Sequence, residues 1–330
     1  MNSPITGQPM ELVKEKRTLE FRREKFEIMY HYFRCNETGE GFENETLSNL
    51  NQGQVYNAYR AKHKMPFQEE IREIRSRYDL PATTMSQILG FGVNQYGLYE
   101  KGEIPSETNA RIIQIAAGPD DFRRLVELSD VAQKQKEKIY KRLAEFKEQG
   151  NGWRLFHEKS LGLTTPSEYN GFRKTSPEKA YHIARFFADH QTLLKTALNK
   201  LLFYADFYHF KRFGAGISGL QYRAIQWGPV PSQFDTLFNQ AEEKNIINLR
   251  YEVWDGDKEM VIIEPSANTS FQKELFTTDE LSSLHTVLGK LKNLKTRQLV
   301  DMSHKEPAWK ENIEGKKLIS YSYAFDLLAF

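Results

Sequence analysis

The most regular pattern of apolar and polar positions lies within residues 193–238. Its first half repeats apolar or aromatic residues at the spacing of one buried helix face. These positions are Leu194, Ala197, Leu198, Leu201, Leu202, Ala205, Tyr208 and His209. The helix is expected to end near Phe213, because Gly214 and Gly216 can adopt the left-handed geometry of a helix C-cap.

A second feature of this stretch is a pair of closely spaced prolines. A β-like run at residues 220–227 leads into Gly228-Pro229-Val230-Pro231. The two prolines remove two backbone donors and fix two φ angles, so we expect a stiff corner that is neither helix nor central strand. Tyr222 and Trp227 precede it, which favours a rigid aromatic corner that shapes a surface.

The rest of the C-terminal pattern adds a small sheet and further helices. Alternation over residues 245–263 predicts strands, with a turn at Asp255-Gly256-Asp257. Thr277 or Thr278 is a candidate N-cap for the helix that follows. A second helix is predicted over residues 295–303.

The N-terminal residues have a different pattern. Residues 1–47 predict a small β-rich unit, with strand-like runs at 10–16, 19–23 and 25–34 and polar turns between them. The polar, helix-compatible stretch at 47–64 is interpreted as a connecting helix.

Residues 66–129 carry a five-helix pattern. The predicted helices are 67–78, 84–89, 93–101, 106–116 and 120–128. A turn containing Gly90 and Gly92 joins the second and third, which is the helix-turn-helix arrangement whose second helix lies in the DNA major groove. The stretch with its YEKG ending resembles the helix-turn-helix of Xre-type repressors, and this resemblance implies a register in which Tyr96 and Tyr99 face the core.

This register also predicts the residues that face DNA. They are Val93, Asn94, Gln95 and Leu98, with Ser86, Gln87 and Lys101 placed to contact phosphates. Asn94 or Gln95 can pair bidentately with adenine. Residues 66–116 carry five Lys/Arg and seven Asp/Glu. A DNA-binding domain with this composition must cluster its few basic side chains on the DNA-facing surface or form a homodimer. A five-helix fold retained for protein contacts is the alternative interpretation.

Residues 129–149 predict one further helix with a thin apolar stripe of Val131, Ile139, Leu143 and Phe146. Its lysines and arginines are interpreted as a solvated face. Gly150-Asn151-Gly152 then breaks the pattern and marks a domain boundary. We expect a mainly α fold of the α+β type in four segments: a ribbon-like β-rich domain at 1–47, a helix-turn-helix domain with a leading helix at 48–129, a helical linker at 130–152, and a mostly helical domain with a small sheet at 153–330.

Composition narrows the class of protein. The 330 residues are 39% hydrophobic and 27% charged with a formal net charge of +2, which is typical of a soluble globular protein without a strong global field. No apolar run reaches membrane-spanning length, and the N-terminal residues lack the apolar core expected of a signal peptide. The single cysteine, Cys35, suits a reducing compartment, so a cytoplasmic location is expected.

The motifs within residues 193–238 resemble the Panacea domain, also called the SocA-like or GepA-like domain. LNKLLFYADFYHFKRFGAGISGLQYRAIQWGPVPSQF contains a KLLYFAD-type helix, a G-x-x-I-S-G turn and a WGPVP-type corner in the order of that family. HKEPAWK at residues 304–310 resembles a later motif of the same family, and the resemblance covers roughly residues 153–325. Panacea domains occur mainly in antitoxins of toxin–antitoxin pairs, so the resemblance implies a domain that binds and neutralises a toxin.

The resemblance places the toxin-facing surface around the predicted helix and corner. Its candidate residues are Tyr204, Asp206, Tyr208, His209, Trp227, Pro229 and Pro231. Asp206 and His209 are expected to be exposed members of this surface. The alternative, that these residues hold the domain together, stays open, for Trp227 in particular.

The N-terminal half carries a second, weaker resemblance. Ser3, Thr6, Cys35 and Thr38 stand where a C-x-x-C…C-x-x-C zinc ribbon has its cysteines. With cysteines there, the region looks like the N-terminal domain of MqsA-type (YgiT-type) antitoxins, and residues 84–102, including the YEKG ending, resemble the helix-turn-helix of Xre-type repressors. A structural zinc site needs four ligands, so a ribbon-like fold without metal or other cofactor is expected. Nothing obvious in the sequence lowers the pKa of Cys35, which is interpreted as a bystander.

No enzyme signature emerges from the sequence. Asp206 and His209 lie three residues apart and can form an acid/base pair, but a histidine on an aromatic-rich helix is more often hydrogen-bonded in a core. Nucleophile, phosphate-loop and H-E-x-x-H motifs are lacking. The leading hypothesis is a cytoplasmic type II antitoxin that captures its toxin through the Panacea domain and autoregulates by binding operator DNA. The alternative is a transcription regulator or proteolytic adaptor whose Panacea domain binds a non-toxin protein.

Overall fold

The computed structural model describes residues 1–148, 160–161, 165–254 and 258–330. These residues are mainly helical with small three-stranded sheets, which confirms the expected α+β class. The α-helices are α1 (Glu45–His63), α2 (Gln68–Arg77), α3 (Ala82–Ile88), α4 (Gln95–Lys101), α5 (Glu107–Ile115), α6 (Pro119–Leu128), α7 (Gln133–Glu148), α8 (Pro177–His190), α9 (Lys195–Phe213), α10 (Phe234–Glu243), α11 (Thr278–Leu291), α12 (Thr296–Ser303) and α13 (Pro307–Lys310). The strands are β1 (Glu11–Phe21), β2 (Glu24–Arg34), β3 (Gly41–Phe42), β4 (Leu193–Leu194), β5 (Tyr222–Ile225), β6 (Gly228–Pro231), β7 (Ile247–Trp254), β8 (Lys258–Pro265) and β9 (Leu318–Ile319). Among the helices described, none is both long and apolar enough to cross a membrane.

The chain divides into two compact units. One comprises Met1–Val13, His31–Leu50 and Phe156–Phe330, and the other comprises Lys14–Tyr30 and Asn51–Leu155. β1, β2 and α1 contribute residues to both units. The four segments expected from the sequence stay a prediction.

The N-terminal residues form a long hairpin in a sheet of order β1-β2-β3. The prediction of three strand-like runs is wrong, because β1 continues without a break between the first two. The chain reverses instead at Arg22 and Arg23, which both have positive φ (50° and 66°), as in the primed turns that match strand twist. The Arg22 guanidinium donates hydrogen bonds to the carbonyl oxygens of Ile104 and Pro105, which helps to hold this uncommon conformation.

Helices α2 to α7 surround one hydrophobic core and confirm the helical pattern predicted for residues 66–149, with every end within four residues of its prediction. α4 begins at Gln95 rather than Val93, because Val93 and Asn94 belong to the turn that follows α3. Tyr96 and Tyr99 are buried as predicted, and the Tyr96 hydroxyl donates to the carbonyl oxygen of Ile71 at 2.8 Å. The turn between α3 and α4 is thereby fixed on α2.

α9 is the central helix of the other unit. It ends at Gly214, whose φ of 68° and N–H bond to the Phe210 carbonyl oxygen (2.8 Å) confirm the predicted cap. The expectation of one buried face is wrong, because 13 of the 19 residues of α9 are buried and they lie on all sides of the helix. α8, α11, α12, β6, β8 and the 3-10 helix Tyr321–Asp326 all pack against it, and a helix enclosed on all sides carries apolar residues all round.

The proline-containing segment is a strand and not a corner. β6 pairs antiparallel with β5, and Pro229 and Pro231 lie opposite Ala224 and Tyr222 in a sheet of order β6-β5-β9. β6 occupies the edge of this sheet, which is where a strand without proline N–H donors is tolerated. The exclusion of helix and of central strand is therefore confirmed.

Other predicted elements are found in part. β7 and β8 pair over their full length, as the alternation within residues 245–263 predicts. The predicted turn at Asp255-Gly256-Asp257 and the predicted boundary at Gly150-Asn151-Gly152 lie outside the described residues. Thr277 is the N-cap of α11, where its hydroxyl accepts the Glu280 N–H and the Glu280 carboxylate accepts the Thr277 N–H.

Candidate functional site

The polar side chains of α9 point into the protein and each contacts a different segment. Lys200, Tyr204, Asp206 and His209 are all at most 3% exposed. A buried polar group costs free energy unless it is hydrogen-bonded, so each requires a partner. The partners lie up to about a hundred residues away along the chain.

Asp206 holds the glycine-rich turn that follows α9. Its carboxylate accepts hydrogen bonds from the Ile217 N–H (2.8 Å), the Ser218 N–H (2.9 Å), the Ser218 hydroxyl and the Tyr222 hydroxyl (2.7 Å). Burial raises the pKa of the carboxyl, and these four donors oppose that rise. Gly219 completes the turn at φ 72°, where a Cβ would lie 2.5 Å from the Lys174 carbonyl oxygen. Asp206 therefore acts as a structural acceptor.

Lys200 fastens β6 to α9. Its Nζ donates to the Pro229 carbonyl oxygen at 2.9 Å, and burial lowers the pKa of the amine to about 7. Gly228 has φ 95°, and a Cβ there would lie 2.7 Å from Lys200 Cε and 2.4 Å from Ser303 Oγ. Glycine is required at this position because the strand lies directly on these side chains.

His209 and Tyr204 bind two further segments. His209 Nδ1 lies 2.9 Å from Ser283 Oγ, whose own proton is donated to the Asp279 carbonyl oxygen. The histidine is therefore the donor in this pair, and burial lowers its pKa well below the usual value. The Tyr204 hydroxyl donates to Glu306, whose carboxylate also accepts the backbone N–H groups of Leu328 and Ala329.

These positions correct part of the predicted surface. Asp206 and His209 were expected to be exposed, and that expectation is wrong. The structure brings Tyr204, Asp206 and His209 onto one helix but encloses all three. Pro229 and Pro231 are also buried, Tyr208 is half-buried, and Trp227 is 60% exposed. Glu306, which lies within HKEPAWK, was not singled out by sequence reasoning, although a charged residue inside that motif was a usable signal.

A pocket of about 320 Å³ opens beside Trp227. Apolar side chains from five elements form most of its lining, and they are Leu194, Ile225, Val230, Phe234, Met260 and Val261. Asn199, which is 3% exposed, also lines the pocket, and its Oδ1 accepts no hydrogen bond from the residues that the structure describes. The pocket therefore combines an exposed indole at its mouth, apolar walls and one unsatisfied acceptor.

Comparison with known proteins assigns a family to this region. Residues 198–310 match the family model described as Antitoxin SocA-like, Panacea domain. This segment is similar to the SocA-like Panacea domain of antitoxins. The match spans about a third of the chain, and a search of curated proteins finds no match. The matched residues include most of α9, the Asp206-bound turn, β6 and Glu306, so most of the buried hydrogen-bond network described above lies within them.

The helix-turn-helix candidates lie in the other unit and only some are available to a ligand. Val93, Asn94, Leu98 and Lys101 are exposed, with Val93 at 73%. Gln95 is half-buried and its amide donates to Glu103 Oε1 at 3.2 Å.

Two of the residues predicted to contact phosphates have protein partners. Ser86 is fully buried and its hydroxyl accepts the Tyr96 N–H at 3.0 Å, so its predicted phosphate contact is wrong. Gln87 is exposed and donates to the Asp130 carbonyl oxygen at 3.4 Å. The exposed face of the turn and of α4 therefore retains Val93, Asn94, Leu98 and Lys101.

The four ribbon positions converge around Cys35. Thr6 Oγ1 lies 3.6 Å from the Cys35 sulfur, and hydrogen bonds from Ser3, Thr38 and Thr6 lower the pKa of the buried thiol to about 6. The expectation that nothing lowers this pKa is wrong, because three hydroxyls replace the thiols of a ribbon and stabilise the thiolate. Within the described residues, no three His, Cys, Asp or Glu side chains cluster as metal ligands.

Proposed function

We propose that this protein is an antitoxin whose Panacea domain binds and neutralises a partner toxin at the surface formed by Trp227 and its adjoining pocket. The observation that carries this proposal is the exposure of Trp227 beside a preformed apolar pocket. Antitoxin-family membership of the domain favours a toxin partner and a regulatory, non-enzymatic role. A cytoplasmic location fits a chain with one free cysteine.

The rigidity of this surface supports its use in binding. β6 is paired with β5 and bound to α9 through Lys200, and the Trp309 indole donates to the Ile225 carbonyl oxygen at 2.8 Å. Trp227 stands on the connection between these strands. An aromatic anchor on a preorganised support loses little conformational entropy on binding, and such anchors carry most of the energy of an interface.

The lining of the pocket indicates which kind of toxin side chain it can accept. Its apolar walls suit an apolar or aromatic side chain, and the unsatisfied Asn199 Oδ1 suits a neighbouring hydrogen-bond donor. Lys195 lines the pocket and pairs with Asp235. In this proposal Tyr204, Asp206, His209, Pro229 and Pro231 support the surface from within, while Trp227 contacts the toxin.

Growth rescue tests the proposal. The product of the reading frame adjacent to this gene is expressed alone and together with the full-length protein. We expect growth arrest in the first case and rescue in the second. Trp227→Ala should abolish or weaken rescue, whereas Tyr169→Ala, an exposed tyrosine at the 3-10 helix Glu168–Asn170 of the same unit, should not. An adjacent product that is bound but harmless would instead favour the regulator or adaptor hypothesis.

We also propose that the helix-turn-helix binds the operator upstream of its own gene, with Asn94 reading a base edge and Lys101 contacting phosphate. The exposure of both residues beside the buried Tyr96 supports this arrangement. A gel-retardation assay with the upstream DNA at low salt tests it. Failure to retard that DNA would remove the autoregulatory half of the function.

A further inference from the structure

α7 presents a stripe of cations on one face. Lys134, Lys138, Lys141 and Arg142 follow the spacing i, i+4, i+7 and i+8, and all four side chains are exposed. Ile139 and Leu143 on the other side of the helix are buried in the core that α7 shares with α2 to α6. The stripe is therefore held in a fixed orientation by the apolar face behind it.

This stripe lines a groove that leads to the helix-turn-helix. The groove has a volume of about 720 Å³, and its other wall is formed by Tyr78, Asp79, Leu80 and Pro81. Pro81 is the N-cap of α3, the first helix of the helix-turn-helix. The Gln135 amide of α7 donates to Thr84 Oγ1 of α3 (3.2 Å), and the Gln87 amide of α3 donates to the carbonyl oxygen of Asp130, which precedes α7 (3.4 Å).

The cations of the stripe are available for a ligand. Lys134, Lys138 and Lys141 form no ion pair with any residue that the structure describes. Arg142 lies 3.5 Å from Glu145, but both side chains are nearly half exposed, and such surface pairs contribute little. Residues 82–101 contain a single basic residue, Lys101. The stripe thus holds the positive charge that the helix-turn-helix itself lacks.

We infer that this basic face of α7, together with the groove beside α3, binds the DNA phosphate backbone next to the site read by α4. The inference rests on the proposed operator binding and adds a second contact surface to it. In a helix-turn-helix complex the first helix crosses the backbone, so phosphates pass the beginning of α3, where the groove opens. From Lys134 to Lys141 the helix rises about 10 Å, which is about the axial rise of three base pairs of B-DNA.

Charge replacement at the stripe tests this inference in the full-length protein. The triple variant Lys134→Gln, Lys138→Gln and Lys141→Gln is compared with the matched triple variant Lys292→Gln, Lys305→Gln and Lys310→Gln, which removes the same charge from exposed positions of the other unit. Affinity is measured by fluorescence anisotropy across a salt series, with the upstream duplex and an unrelated duplex of equal length.

The stripe variant should bind both duplexes more weakly than the wild type does, and the fold-loss in affinity should be the same for the two duplexes because phosphate contacts carry no sequence information. Its slope of log affinity against log salt should fall by roughly three, at about 0.9 for each lost phosphate contact. The matched variant should keep the wild-type slope. Replacing the same three lysines with arginine should retain binding, and melting curves of the stripe variants should match the wild type because these side chains lie on the solvent face.

Each failure has a different meaning. An unchanged slope in the stripe variant, with the wild type still binding its operator, would overturn the inference and leave operator binding intact. Loss of binding to the adjacent gene product, with DNA affinity unchanged, would show that the stripe is an acidic-protein surface and would also overturn it. A wild-type protein that binds neither duplex would overturn both the inference and the proposed operator binding.

Discussion

Replacing Asp206 with alanine tests the role of the α9 polar residues as internal supports. The change leaves four buried donors without their acceptor: the N–H groups of Ile217 and Ser218 and the hydroxyls of Ser218 and Tyr222. Each unsatisfied buried donor costs about 1–3 kcal/mol. The hydroxyls can rotate to other acceptors, so the two backbone N–H groups determine most of the loss.

The expected loss in free energy of unfolding is about 3 kcal/mol, since removing a buried carboxylate also recovers part of its desolvation cost. For a domain of this size that corresponds to a fall of about 6–12 °C in Tm. Asp206→Asn should lose less, because the amide oxygen still accepts the two N–H bonds. Urea unfolding followed by circular dichroism measures both variants.

Asp235→Ala is the matched control for this series. Asp235 is an exposed partner of Lys195, and an exposed ion pair contributes about 1 kcal/mol or less. If Asp206→Ala unfolds at the same urea concentration as Asp235→Ala, the carboxylate does not hold the turn and the structural assignment of these residues is wrong.

Three further outcomes are expected. The pKa of Cys35 in the folded protein is about 6, below the ordinary value of 9.0. The thiolate therefore stabilises the fold fully above pH 9, and this contribution is lost as the pH falls through 6. The Tm difference between wild type and Cys35→Ser should accordingly be larger at about pH 8 than at about pH 5.5. Asn94→Ala should cost about 1–3 kcal/mol at the operator alone, whereas Lys101→Gln should weaken all duplexes alike, both measured by anisotropy. No stoichiometric zinc should be found by elemental analysis, and about one zinc per chain would contradict the ribbon interpretation.

Local signals predicted the elements of this fold well. The end of α9 follows from Gly214, and the inward position of Tyr96 and Tyr99 follows from the register that the resemblance to Xre-type repressors implies. Each depends on neighbours within a few residues in the sequence. The proline pattern correctly excluded a central strand, but it could not distinguish a corner from an edge strand, because both lack the same N–H donors.

The exposure of individual polar residues was not predictable in the same way. Periodicity assigns one face of α9 to the core, yet it cannot show that other elements close around the opposite face. The partners that make burial tolerable are distant, as Tyr204 and Glu306 are 102 residues apart. The lowered pKa of Cys35 likewise depends on two loops that bring Ser3, Thr6 and Thr38 close to its thiol. The ribbon-like spacing of these residues was a sequence signal that they lie close together.

The affinity of purified protein for the adjacent gene product tests the central claim most directly. Truncating an aromatic anchor costs about 2 kcal/mol or more, so Trp227→Ala should raise Kd by roughly thirtyfold with an unchanged melting curve. Tyr169→Ala should bind like the wild type. Equal affinity of Trp227→Ala and wild type, for a product that the wild type neutralises, would contradict the assignment of this surface to the toxin.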